Sequence, residues 1–419
     1  MGQSRRAGWA LPLGPYGTLP IRFLCLPLLT LGLIAAGLAL APLLPPGPSL
    51  AGINHGATFI FFDGRWYREI AASGYHWDAV EGQKWLHYSD AAFFPLYPLI
   101  ERLAARLPGG GSEGGLSLLS LIFGLWSGLA FSAFARRILP EPAAWRAALI
   151  YACWPAGCFY WMGYPTGLIN LCAIHCLWLY AEKRPWRAAL WCGIGTAAAP
   201  TVVFVAAALC IDRGFAWLKA GAPRQRLMGL IGFGLLSVGG LIGFVAFLWW
   251  RFGDPLVFLK AQDAWSPPRS LVAQAVIVFN PLHYLYAVHS AGGAVRGLIW
   301  RGFGTYAVGR EQVNLAFQLL LGLAGLLLFA LTIALGWRRL RARGVMGASL
   351  AILLGYLWFA ASTPINLLCC LRLCFPALAL FLVLGGWPPR GRGFALLLAA
   401  LGLLLAIETA LVKAGYTVI

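Results

Sequence analysis

Charge is scarce in this sequence. Asp, Glu, Lys and Arg make up 11% of its 419 residues, whereas 60% are hydrophobic; soluble domains carry about a quarter charged residues. That shortage excludes an ordinary soluble protein and points to a chain that crosses a membrane several times. The ten-residue alternating segments of a transmembrane β-barrel are also missing. In their place apolar runs of about 20 residues recur, long enough for helices across a hydrocarbon layer. Backbone groups in lipid must be paired within their own segment, so the expected class is all-α.

Other absences narrow the chemistry. No CxxC pair and no zinc-type spacing occurs among the ten cysteines, seven of which lie inside apolar runs, so they read as small buried hydrophobes. No G-x-G-x-x-G follows a strand, and there is no P-loop, which leaves no nucleotide motif. Acids number only 14 against 32 Lys and Arg. The basic residues are scattered in short clusters between apolar runs, which is the pattern of helix orientation in a membrane and argues against nucleic acid.

What is present is a series of about eleven apolar spans, near 21–44, 116–135, 145–162, 166–181, 187–198, 200–212, 228–250, 314–336, 345–361, 368–387 and 393–412. The first is too long for a signal-peptide core and is expected to be a retained helix. The fifth and sixth are short and suggest two half-length helices broken at Ala199, Pro200 and Thr201. With the N-terminus in the cytoplasm, the inner side collects nineteen Lys and Arg against three acids, and the outer side keeps thirteen against eleven. The positive-inside bias supports that topology and makes the outer face the charge-mixed one. The chain then reads as one integral membrane domain over residues 1–419, with outer segments at 45–115 and 251–313.

Six of the 14 acids fall between Asp63 and Glu101, in or just beyond the stretch FIFFDGRWYREIAASGYHWDAVEGQKWLHYSDAAFFPLYP. Within it Trp66, Tyr67, Ile70 and Ala71 recur at helical spacing and Gly74 suits a C-cap, which predicts an interfacial helix with its aromatics towards lipid. A second amphipathic helix is expected over 96–107. Asp63 fits two compatible roles, an N-cap for the first helix or a general base at the mouth of a membrane cavity. Asp90 is the second carboxylate beside a proline-stiffened aromatic segment, suited to acid/base work or to a divalent cation; Asp78 and Glu81 read as solvated. Arg372, in CCLRLCFP, lies near the outer end of an apolar helix, where it either snorkels or meets an anion such as a lipid phosphate. Arg251, Lys260 and Arg269 offer less specific cations. His175 with Cys172 and Cys176 reads as packing, and Glu408 as facing other helices or the outer interface.

Several of these segments together resemble a known family. FDGRWYREIAASGY followed by FFPLYPLIERLAARL is similar to the WDGxWYxxIAxxGY…FFPLYPLL pattern of bacterial relatives of the GPI-anchor second mannosyltransferase, membrane glycosyltransferases of the GT-C fold. YPTGL, APT at 199–201, FGDPLVFLKAQ at 252–262 and LRLCFP at 371–376 follow in the same order. The resemblance implies a bundle of about eleven helices in the cytoplasmic membrane that transfers a hexose, mannose above all. The donor would be a polyprenyl-phosphate sugar, the acceptor a lipid, glycan or protein at the outer face, and the stereochemistry inverting. It implies Asp63 as base, with Asp90 a second catalytic candidate, and Arg65, Trp66, Tyr67, Tyr164, Lys260 and Arg372 as substrate-binding residues; no nucleotide motif is called for. Three positions depart from the pattern: Phe62 stands for Trp, Thr166 for Glu and Ala199 for Arg. The paired loss of Glu and Arg motivates one alternative, a scaffold of this fold without catalysis. A transporter or lipid flippase is the other.

Overall fold

The computed structural model describes residues 10–12, 18–47, 60, 62–77, 89–221, 224–262, 307–337, 343–360, 369–386 and 391–416, with single positions between 272 and 289. Asp78, Glu81, Arg269 and most of the 251–313 segment lie outside them. The described residues are mostly helical, with one two-stranded antiparallel ribbon, β1 (Ala10–Pro12) with β2 (Thr18–Pro20), ahead of the first helix.

Helices α1 (Ile21–Leu24) and α2 (Leu26–Leu40) form the first span. Two short helices follow, α3 (Gly64–Ser73) and α4 (Leu96–Ala104). Next come α5 (Glu113–Ile138) and α6 (Glu141–Ala152). The Ser112 hydroxyl caps α5 by accepting from the Gly115 N–H at 3.0 Å. Leu139, extended ahead of Pro140, ends it. Then follow α7 (Thr166–Ala181), α8 (Pro185–Thr196), α9 (Thr201–Lys219), α10 (Arg224–Ser237), α11 (Gly239–Phe252) and α12 (Val257–Gln262). The chain closes with α13 (Ala307–Gly336), α14 (Arg343–Ala360), α15 (Cys370–Leu373), α16 (Ala379–Gly386) and α17 (Arg392–Ala414).

Among the described residues five helices are long and apolar enough to cross a membrane, or six if the bent pair α10 and α11 counts as one. The expected count of about eleven spans is not confirmed, and several of the runs are interrupted for local reasons. The run 145–162 stops being α-helical at Cys153, and Pro155 opens a 3-10 segment to Trp161. The run 368–387 is split between α15 and α16, with Pro376 in the gap. The run 228–250 bends by 62° at Val238. There a Cβ on Gly240 would lie 2.2 Å from the Gly193 carbonyl oxygen, so the bend and the missing side chain let α11 press onto α8. The break expected at Ala199, Pro200 and Thr201 is present at 197–200, yet α9 on its far side runs 19 residues and qualifies as a span in full.

Broken helices in a membrane leave backbone groups that need partners, and neighbouring side chains supply them. Ser120 on α5 donates to the Tyr164 carbonyl at 2.8 Å and accepts from the Tyr164 N–H at 3.2 Å. Ser117 donates to the Trp161 carbonyl. The Trp154 indole donates to the Leu371 carbonyl at 3.2 Å, and the Ser349 hydroxyl accepts from the Ala379 N–H at 3.1 Å. Around these stitches packs an aromatic core of Phe131, Tyr151, Trp154, Phe375 and Phe381, in which Phe131 and Tyr151 stack at 4.5 Å.

The polar connections sort to two ends. Arg22 meets Glu141, Arg137 and Arg184 approach Glu182, and the Arg146 Nε–H donates to the Gly385 carbonyl at one end. At the other, Tyr416 donates to the Pro45 carbonyl, the Leu96 N–H to Ala197 at 2.9 Å, and α3 lies with α4 over the bundle. The acid-rich stretch sits at this second end.

Candidate functional site

Asp63 ends up beside a cation from the far end of the sequence. The Arg372 Nη1–H donates to Asp63 Oδ2 at 3.3 Å, across 309 positions. The carboxylate occupies the residue before α3 yet makes no side-chain cap bond to that helix. The capping role expected from the local pattern is therefore not the one adopted. Two features of the backbone turn it away. Phe62 holds φ at 44°, a left-handed conformation that is costly for a non-glycine residue and concentrates at functional sites. Gly64 then packs so closely that a Cβ there would lie 2.6 Å from the Met162 carbonyl oxygen, which fixes the helix start against the 162–164 loop.

Tyr164 closes the other side. Its hydroxyl accepts from the Asp63 backbone N–H at 3.0 Å, and its ring lies 5.3 Å from the Arg372 guanidinium, which also sits 5.0 Å from the Phe159 ring. The guanidinium is thus held by two aromatic rings and one carboxylate. It is largely buried, at 16% side-chain exposure against 33% for Asp63, and its Nε is buried without a hydrogen-bond partner. A guanidinium has five N–H donors. With its Nε–H unspent, this guanidinium retains capacity for an anion partner.

The remaining sequence candidates are placed as follows. Tyr67 is buried, packed edge-on against Phe93 and Tyr97 at 5.2 and 5.4 Å, so the aromatic face of α3 meets α4 and the 89–95 segment, where lipid was expected. Burial and the nearby Asp63 charge push its phenol well above the usual range. Trp66 stacks on Phe93 at 5.8 Å, and Arg65 is exposed. Asp90 is 97% buried and accepts from His76 three times, from the backbone N–H at 3.0 Å to each oxygen and from the ring Nδ1 at 3.1 Å. Burial raises its carboxyl while the His76 bonds oppose the rise. Lys260, exposed on α12, pairs with Asp254. His175 stacks on Trp191 at 4.4 Å, and Glu408 is buried on α17, accepting from the Gln318 amide at 2.7 Å. Among the described residues no three His, Cys, Asp or Glu side chains meet in a way that would hold a metal ion.

One residue close to the site was given no role by the sequence. Glu101, on α4, is fully buried and neither carboxylate oxygen has a hydrogen-bond partner. Burial pushes its carboxyl up to about 9, opposed only by Arg68. The signal was available: Glu101 lies four positions after Tyr97, on the apolar stripe of an amphipathic helix, where a charged residue is out of place.

Fold and site together define a polytopic helical protein with a carboxylate and a partly unsatisfied guanidinium paired at one end of the bundle. No protein-family profile and no curated protein matches the chain. Among solved structures it is similar to the Archaeoglobus fulgidus oligosaccharyltransferase. Against the apo form the identity is 15% and the TM-score 0.45, over 93% of this chain and 56% of that one. Against the complex with an inhibitory peptide and a dolichol-phosphate they are 16% and 0.45, over 94% and 56%. The chain spans just over half the length of those proteins.

Proposed function

We propose that this chain is a GT-C-type membrane glycosyltransferase that moves a hexose, mannose by its resemblance in sequence, from a polyprenyl-phosphate donor to a hydroxyl of a lipid, glycan or protein acceptor. The reaction takes place at the outer face of the cytoplasmic membrane and inverts the anomeric centre. The observation that carries this reading is the meeting of Asp63 and Arg372 within 3.3 Å, at the end of the bundle that bears the acid-rich segment.

The donor phosphate takes the guanidinium, whose planar fork matches phosphate oxygens and which already has a free Nε–H. That competition releases the Asp63 carboxylate to face the acceptor. The acceptor hydroxyl gives its proton to Asp63 as its oxygen bonds to the anomeric carbon, and the bond from that carbon to the phosphate oxygen breaks. Arg372 stabilises the charge that builds on the departing phosphate. Tyr164 holds both partners, through the Asp63 N–H and through the face of its ring.

The test is transfer of radiolabelled mannose from polyprenyl-phosphate mannose to a mannoside acceptor by the purified chain in nanodiscs, with the product's anomeric configuration read by NMR. Labelled product of inverted configuration is expected. A transporter or flippase is the reading that the buried Glu408–Gln318 pair between two apolar helices, α17 and α13, favours. Lipid movement across vesicles that hold no acceptor, without any sugar transfer, would establish it instead.

A further inference from the structure

We propose that the strip running from Trp66 to His76 binds a hydroxyl-rich ligand, with His76 Nε2 as a hydrogen-bond acceptor. His76 is clamped at three points. Its backbone N–H and its ring Nδ1 both donate to Asp90, and its carbonyl accepts from the Ser89 hydroxyl at 3.1 Å. The His76 backbone N–H and Nδ1 both face the Asp90 carboxylate, which accepts, so Nδ1 carries a ring hydrogen, and with a single ring hydrogen Nε2 keeps its lone pair. The burial is lopsided: the Asp90 side chain is 3% exposed and the His76 side chain 58%. A buried carboxylate here aims an exposed imidazole, the arrangement by which proteins fix a ring's tautomer and direction.

The rest of the strip has matching chemistry. Trp66, one turn after Asp63, stacks on Phe93 with both rings half-buried. Glu69, exposed three positions further along α3, lies near enough to Asp90 for their charges to interact. Indole and phenyl surface suits the C–H faces of a sugar ring, and Nε2 and the Glu69 carboxylate are both acceptors that call for hydroxyl donors. Two neighbouring carboxylates disfavour a phosphate at this spot. Helix α3 is about 15 Å long, so a short oligosaccharide could lie along it with one end at Asp63. Naming that ligand as the acceptor rests on the proposed function; the binding itself does not.

The test is saturation-transfer NMR with α-1,6-mannotriose and the full chain in nanodiscs, compared with His76→Ala, His76→Gln and Trp66→Ala, alongside transfer kinetics. Binding to the wild type is expected, weakened about tenfold in His76→Ala and partly restored in His76→Gln, whose amide oxygen can also accept. The acceptor KM should rise in parallel while kcat holds. A second arm replaces the free sugar with phosphatidylinositol in the disc; a shift of the His76 ring ¹⁵N signals in that arm alone would identify the polyol as a lipid headgroup. The ¹⁵N shifts also report the tautomer in a folded protein, and a ring protonated on Nε2 would overturn the inference. So would mannotriose binding that is indifferent to His76, or binding of an alkylammonium probe in place of both polyols. Sugar binding without any transfer would leave this site standing and remove the proposed function.

Discussion

Two carboxylates of the same acid-rich segment have opposite surroundings. Asp63 is one-third exposed and paired with a cation recruited from 309 positions away, whereas Asp90 is almost wholly buried and serves a neighbour 14 positions away. Composition treated them as a pair. The structure separates them: one is partly exposed and meets a guanidinium whose Nε–H has no partner, and the other accepts from the backbone and ring of His76. Local enrichment in acid therefore marked the region, and the partners brought by the fold distinguish the roles.

The largest effect should come from Arg372. Arg372→Ala is expected to lower transfer by about 100-fold or more, and Arg372→Lys should not rescue it, because an ammonium lacks the planar fork held between the Phe159 and Tyr164 rings. Donor KM, measured with acceptor saturating, checks this; an active Lys variant would mean that point charge suffices.

Glu101 gives the next effect, on stability. Its carboxyl titrates near 9 when folded against an ordinary value of 4.5, so the folded state holds the proton more tightly. The stability this contributes is complete below the ordinary value and is lost as pH rises towards the folded one, by up to about 6 kcal/mol. Thermal unfolding should thus fall in temperature between pH 5 and pH 9, and Glu101→Gln should flatten the curve. A wild-type Tm that rose over that range would contradict the burial argument.

Gly64→Ala should cost about 1–3 kcal/mol by overpacking against the Met162 carbonyl, and should reduce transfer by displacing Asp63. The smallest effect is expected at Lys260. Its exposed pair with Asp254 is worth at most about 1 kcal/mol, so Lys260→Ala should leave transfer within about twofold, and a larger loss would bring α12 into the site.

Much of this was legible in the sequence, for physical reasons that differ by residue. Arg372 stood out because a cation in an apolar run is costly without a partner, and α7 and the C-terminal helix follow their hydropathy closely. The interruptions within the runs were not legible, because hydropathy sums over a window and is blind to where Pro155, Pro376 and the Gly239–Gly240 pair break the helix. The cap reading of Asp63 failed because it saw only the following turn, whereas Phe62 and Gly64 set the direction of the side chain. His76 gave no signal, since its meaning depends on a carboxylate 14 positions away. Thr166 and Ala199, where the pattern this sequence resembles has Glu and Arg, are both buried. Leu168 and Ala198 beside them share one packed cluster, in keeping with a pair lost together.

The most direct test sets Asp63→Asn beside Asp90→Asn in the transfer assay, with both proteins shown to be folded. The account predicts that Asp63→Asn loses about 10²- to 10⁴-fold in kcat, the scale of general base catalysis. Asp90→Asn should keep kcat within about tenfold of the wild type and lose mainly in acceptor KM. Full activity in the folded Asp63→Asn protein would contradict it.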